Sequence, residues 1–215
     1  MPRFIQRLYP ERIWAFSNST NSIFLTFDDG PIPEVTPWVL DELKKHNAKA
    51  TFFCIGENVQ KYPDIFQRIL SEGHSVGNHT FNHLKGTKTE TSEYIENVEK
   101  AEREMITNLK IKNQQSKISN QKSLFRPPYG KITSQQAKII QQKGFKIVMW
   151  DIISYDYDAK VSLEKCLQNV LKNINPGSVI VFHDSLKAEK NLRYVLPKVL
   201  EFIGEKKILP QSIKV

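Results

Sequence analysis

Residues Ser22–Pro33 read SIFLTFDDGPIP. An apolar run without polar alternation ends in two adjacent aspartates and then a Gly-Pro break. Such a run suits a strand buried on both faces, as in a parallel sheet. Aspartates are poor strand residues, and neighbouring carboxylates repel one another. Their place at the strand's carboxyl end therefore needs a reason beyond the strand itself.

Working outward, the same kind of run recurs at Ala50–Cys54, Ser75–Val76, Leu124–Phe125, Phe145–Trp150 and Val179–Phe182. Amphipathic stretches lie between them. Thr36–His46 has Thr36 as its cap and Pro37 at the first helical position, and Pro63–Ser71 stops at Gly73. Ser92–Leu109, Ser134–Lys143, Leu163–Asn173 and Glu189–Ile203 complete the helical candidates. Repeated strand–helix units imply an α/β barrel or a doubly wound sheet, where chemistry collects at the carboxyl ends of the strands. The polar clusters sit there: Asp28-Asp29, Asn78-His79, Arg126, Asp151 to Asp156, and His183-Asp184. Clusters at five successive strand ends point to one shared site.

The chain has 215 residues, 40% hydrophobic and 25% charged, with a net charge of +8. That is enough for a single domain over residues 1–215 with its own core, its motif-bearing part running from about 22 to 185. The basic balance favours anionic partners. Its lysines and arginines are scattered, however, and the stretch Lys110 to Lys122 is a polar loop, so nucleic acid is not expected. Cys54 and Cys166 form neither a disulfide framework nor a metal-type CxxC, and are expected as buried thiols. Charges at Arg3, Arg7, Glu11 and Arg12 interrupt any signal-peptide core, and no apolar run is long enough for a membrane span. The expectation is a cytoplasmic protein as written, with the periplasm or cell envelope as the alternative site of action. No obligate protein partner is evident.

His79 and His83 stand at i and i+4, a spacing that on a helical turn lets both imidazoles reach one metal. Alone, HxxxH is more often ordinary histidines, and FDDG alone is turn chemistry. Together they offer two histidines and a carboxylate, a three-ligand site with open positions. One aspartate of the pair is then a ligand, while the other stands by as a base, and the cation relieves their repulsion. Such a triad also suits non-haem iron oxygenases, although that chemistry needs no acid–base pair. Arg126-Pro127-Pro128-Tyr129-Gly130 is by default a rigid turn; functionally, Arg126 can hold a carboxylate by a bidentate contact. His183 is by default a core residue, but an aspartate such as Asp156 beside it can keep it protonated as an acid. His46, His74 and the tryptophans Trp14, Trp38 and Trp150 are expected to be structural.

In order, TFDDGP, HTFNH, RPPYG, the segment ending in Asp156-Tyr157, and VFHD resemble the five signature motifs of polysaccharide deacetylases of the NodB homology type. The resemblance runs from about Phe24 to Asp184. It implies a distorted (β/α) barrel, often seven-stranded, and metal-dependent removal of N-acetyl groups from amino sugars of a peptidoglycan- or chitin-like glycan. By that resemblance Asp29, His79 and His83 hold a divalent metal, zinc or cobalt in many relatives. Asp28 is the base and Arg126 its orienting partner. The Tyr129 backbone N–H serves the oxyanion, and His183 is the acid, tuned by Asp156. Pro128, Tyr157 and Val181 line the substrate side. The fourth and fifth motifs depart from the usual pattern, with Ile153 in place of an aspartate, Tyr157 in place of tryptophan and Val181 in place of leucine. Asp151 lies two residues early. Alternatives from the same chemistry are hydrolysis of another amide, a formyl group or an O-acetyl ester (acetylxylan, a lipid-linked sugar), and a glycan-binding member without activity.

Overall fold

The computed structural model describes residues 3–17, 21–110 and 123–214. Its elements are α1 (Arg3–Leu8), β1 (Ser22–Asp28), α2 (Thr36–Lys45), β2 (Ala50–Cys54), α3 (Gly56–Lys61), α4 (Pro63–Ser71), β3 (Ser75–Asn78) and α5 (Thr91–Lys110). After these come β4 (Leu124–Phe125), α6 (Ser134–Gln142), β5 (Lys146–Ile147), β6 (Ile152–Ile153), α7 (Leu163–Leu171), β7 (Val179–His183), α8 (Glu189–Glu205) and β8 (Leu209–Pro210). Seven strands run side by side in the order β5-β4-β3-β2-β1-β7-β6, and β8 pairs with β1. Each of these ladders is parallel. The sheet curls into a distorted (β/α) barrel, as the sequence leads one to expect.

Strand periodicity explains why β1 is buried along its whole length. Successive side chains point to opposite faces of the sheet. Ile23, Leu25 and Phe27 face the helices, packing with Phe52, Phe182, Val39 and Leu196. Phe24 faces the barrel interior with Phe53, Val179, Val181 and Trp150. Thr26 and Asp28 share the interior face, so the first carboxylate of the pair points inward at the open end of the barrel. Burying one large apolar side chain contributes about 1.5–3 kcal/mol. Exposed ion pairs contribute about 0–1 kcal/mol. The doubly lined sheet, rather than surface charge, makes the rigid scaffold.

Several sequence expectations are corrected. Phe145–Trp150 is not one strand: β5 ends at Ile147 and β6 begins at Ile152. The physical reason is Arg126, whose Nε donates to the Val148 carbonyl at 3.2 Å and Nη2 to the Met149 carbonyl at 2.9 Å. Those carbonyls bond a guanidinium instead of a neighbouring strand. Thr36 does not cap α2, whose N-cap is Val35 without a side-chain bond. Its hydroxyl instead donates to Asp184 Oδ2 at 2.6 Å. The short elements α1, α3 and β8 have no counterpart in the expected set. Residues 111–122 of the expected polar loop lie outside the described residues. Both cysteines are buried free thiols. Among the described residues no helix is long and apolar enough to cross a membrane.

Candidate active site

The strand ends bring the five motifs together around the aspartate pair. Asp28 is the last residue of β1, in register with His183 of β7 and Phe53 of β2. Asp29 leaves the strand with a φ of 87°, a left-handed conformation that aspartate tolerates better than most residues. This turn redirects the second carboxylate away from the alternation of the strand. Two side chains hold it. Asn58 Nδ2 donates to the Asp29 carbonyl at 2.7 Å, and the Gly30 N–H donates to Asp184 Oδ1 at 3.0 Å. Gly30 has no alternative here, because a Cβ would lie 2.0 Å from Asp184 Oδ2. The Gly30–Pro31 peptide is cis.

Asp28 is held from inside the barrel. Arg126, fully buried, donates from Nη1 to Asp28 Oδ1 and to Thr26 Oγ1, each at 2.7 Å. Burial pulls the guanidinium pKa down, and the Asp28 charge opposes that. Phe53 stacks beneath it, 4.0 Å from Cζ to the ring centre. The expected bidentate contact is not formed: one nitrogen serves Asp28, and the others are spent on the two carbonyls that interrupt the strand. A single guanidinium therefore fixes both the base candidate and the local path of the chain.

Asp29, His79 and His83 offer ligand atoms that all lie within 4.8 Å of one another. Asp29 Oδ1 is 3.3 Å from His83 Nε2 and 3.7 Å from His79 Nε2, and it is buried without a well-formed hydrogen bond. A buried carboxylate oxygen aimed between two imidazoles is the donor set of a three-ligand metal centre, so these residues fit a divalent ion. Burial alone opposes ionisation of Asp29. The His83 ring, with the charges of His183, His79 and His83, outweighs that and holds the carboxyl well below the usual carboxylate range. His79 Nδ1 lies 2.8 Å from the Arg126 carbonyl, which can only accept, so Nδ1 carries the proton and Nε2 keeps its lone pair. Burial lowers the His79 pKa to about 4, keeping the ring neutral.

The two histidines do not share a helical turn, contrary to the expectation from their spacing. Residues 79–85 are irregular, with Thr80 and His83 at φ values of 64° and 57°. Asn78 Oδ1 accepts from the Thr80 N–H, and Asn97 Oδ1 accepts from Phe81 and Asn82. These asparagines shape a loop that brings the rings to 5.1 Å between centroids.

Across the mouth, Asp156 Oδ1 lies 2.8 Å from His183 Nδ1, and Oδ2 accepts the His183 backbone N–H at 2.8 Å. Burial alone lowers the His183 pKa; Asp156 outweighs it and, with Asp29 and Asp28, raises it to about 9. The imidazolium is thus the stable form at neutral pH. Asp151 does not substitute for the missing aspartate of the fourth motif. It binds Ser178 and the Val179 N–H, at the opposite end of β7 from His183.

The remaining expected residues take different places. Tyr129, at a φ of 59° in the 3-10 turn Pro128–Gly130, is 60% exposed and stands 4.6 Å from the His83 ring. Pro128 is buried. Tyr157 meets His183 edge-on at 4.8 Å. Val181 is 1% exposed, one pleat below His183 in the interior cluster. Sequence reasoning missed the supporting groups Thr26, Thr36, Asn58 and Asp184. Only Asp184 carried a visible signal, its place beside His183. Burial pushes its carboxyl up to about 8, against the opposing bonds from Thr36 and Gly30.

Residues 17–148 match the family described as polysaccharide deacetylase. A peptidoglycan-N-acetylglucosamine deacetylase of Bacillus cereus is 42% identical over 174 residues, 80% of this chain, which spans 60% of that relative's length. A solved peptidoglycan N-acetylglucosamine deacetylase, in complex with 4-naphthalen-1-yl-N-oxidanyl-benzamide, superposes with a TM-score of 0.77 at 33% identity, covering 99% of this chain and 98% of that one. A CE4 family pseudoenzyme from Bacillus anthracis shares the fold alone, with a TM-score of 0.78 at 24% identity over 94% of this chain and 67% of its own. With the family match extending over most of the barrel and the same fold recurring in these relatives, the chain belongs to the polysaccharide deacetylase family.

Proposed function

We propose that this chain hydrolyses the N-acetyl group of an amino sugar within a glycan, yielding acetate and a free amine. The observation that carries the reading is the pairing of Asp28 with His183 in one register of adjacent strands, beside the Asp29–His79–His83 triad. One partner is a carboxylate fixed by Arg126; the other is an imidazolium fixed by Asp156. Amide hydrolysis needs this combination, because a proton must leave the attacking water and another must reach the departing nitrogen. The relatives named as peptidoglycan N-acetylglucosamine deacetylases support the same chemistry.

In this reading the Asp28 carboxylate accepts the proton of a water as its oxygen adds to the acetyl carbon. The Tyr129 backbone N–H donates to the oxyanion that develops. His183 delivers its proton to the nitrogen as the carbon–nitrogen bond breaks, and Asp156 holds the ring in the donating state. Pro128, Tyr157 and Val181 form the acyl side of the pocket. Asp29, His79 and His83 would hold a divalent cation, zinc or cobalt, which when bound would supply Lewis acidity toward the carbonyl and lower the pKa of a water.

The test is metal analysis of the purified protein coupled to acetate release from peptidoglycan fragments, chitin oligomers and acetylated xylan. Acetate from the N-acetylated glycans is expected. Release from xylan alone would reassign the chain to O-acetyl esters. A metal-loaded protein that binds these glycans and releases no acetate would make it a glycan-binding member without activity.

A further inference from the structure

The first turn of α3 holds both loops that bear the ligand residues. β2 ends at Cys54, and Ile55 stands at the N-cap with no side-chain bond to offer. A helix start leaves backbone N–H groups without partners, which a capping side chain normally meets. Here carbonyls of the two loops meet them. The Ile55 N–H donates to the Gly30 carbonyl at 2.9 Å, on the loop of Asp29. The N–H groups of Gly56 and Glu57 donate to the Thr80 and Phe81 carbonyls at 2.9 and 3.0 Å, between His79 and His83. Gly56 seats this second loop closely, since a Cβ there would lie 2.7 Å from the Phe81 ring and 2.8 Å from Ala101 Cα of α5. Asn58, half-buried on the same turn, donates from Nδ2 to the Asp29 carbonyl at 2.7 Å. Among these four bonds it is the one made by a side chain. Asp29, Thr80 and His83 all sit in the left-handed region, at φ values of 87°, 64° and 57°. Such backbone persists only where its surroundings over-determine it.

We propose that Asn58 is a positioning residue of the ligand triad. By holding the Asp29–Gly30 peptide against the turn that also holds Thr80 and Phe81, it sets the distance of the Asp29 carboxylate from the two imidazoles. The inference rests on the metal reading of the triad and not on the deacetylase chemistry. Loss of a partner that orients a ligand residue lowers metal affinity by about 10–100-fold.

Binding of cobalt(II) to the metal-free protein tests it, because the visible absorption of cobalt reports affinity and ligand geometry in one titration. Asn58→Ala and Asn58→Leu both remove the donor, and the leucine keeps the volume. Each is expected to bind cobalt about 10–100-fold more weakly than the intact protein, with a changed absorption band. Val195→Ala, in the buried core on α8, is the control for lost stability alone and should keep the wild-type affinity and band. Wild-type affinity and band in both Asn58 variants would overturn the proposal. So would a loss in Asn58→Ala that Asn58→Leu restores, since volume rather than the donor would then count. An equal loss in Val195→Ala would assign the effect to stability and overturn it too. An intact protein that binds no cobalt would end the metal reading and this inference with it. Cobalt binding without acetate release from any glycan would instead end the deacetylase reading and leave the role of Asn58 standing.

Discussion

Replacing Asp156 by Asn tests the acid side of the site most directly. Asp156 accepts two bonds from His183, one from the backbone N–H and one from Nδ1. An asparagine has one oxygen and one NH2 to offer. The backbone N–H cannot accept, so the amide oxygen must take it, and the NH2 then faces Nδ1. That nitrogen must give up its proton, leaving a neutral ring protonated at Nε2. The His183 pKa stands at about 9 because Asp156 outweighs burial. Without that charge, burial leaves it at or below the ordinary value near 6.5. The difference of about 2.5 units corresponds to about 3 kcal/mol. At pH 7.5 the protonated fraction falls from about 97% to about 9% or less, so the supply of acid drops at least about tenfold. The assay is a nitrogen-15 NMR titration of His183 in metal-free protein, where chemical shifts separate imidazolium from each neutral tautomer. The same pair makes a stability prediction whose sign follows from the raised pKa. Its stabilisation is complete below about pH 6.5 and is lost as pH rises through about 9; the variant should lack this pH dependence. A variant whose His183 still titrates near 9 would show that Asp29 and Asp28, not Asp156, maintain the imidazolium, and the reasoning would fail.

Asp28→Asn should retain bound metal and lose about 10²–10⁴-fold in turnover, whereas Asp29→Ala should lose the metal itself; elemental analysis beside acetate release separates them, and equal metal loss in both would sink the division of roles. Gly30→Ala places a methyl against the fully buried Asp184. It should cost about 1–3 kcal/mol in chemical denaturation and weaken zinc affinity as the Asp29 loop shifts; wild-type values for both would refute the close approach. Arg126→Ala leaves Asp28 buried without its ion-pair partner and frees two carbonyls. A loss of about 3–5 kcal/mol is expected in urea unfolding, and a loss below about 1 kcal/mol would show that Arg126 does not hold the barrel mouth together.

What the sequence determined by itself is whatever depends on local chemistry. The buried run Ile23–Phe27 announced a parallel sheet because an all-apolar strand must be covered on both faces. Donor types at the strand ends gave the expectation of a metal-ligand set beside an acid–base pair, because carboxylate and imidazole chemistry belongs to the side chain. The tertiary structure decided how those groups meet. Residues 79–83 satisfy a helical spacing, yet Asn78 and Asn97 bond the backbone into a loop, so the histidines converge by another route. Arg126 reaches Thr26, Asp28, Val148 and Met149, partners between 22 and 100 residues away along the chain. Asp184 holds Gly30 and Thr36 across about 150 residues. No periodicity encodes such contacts, since they exist only once the barrel has closed the distances. The same holds for the aspartate pair. Adjacency in sequence gave both residues one strand end, but the left-handed turn at Asp29 and the guanidinium at Asp28 gave their carboxylates different surroundings.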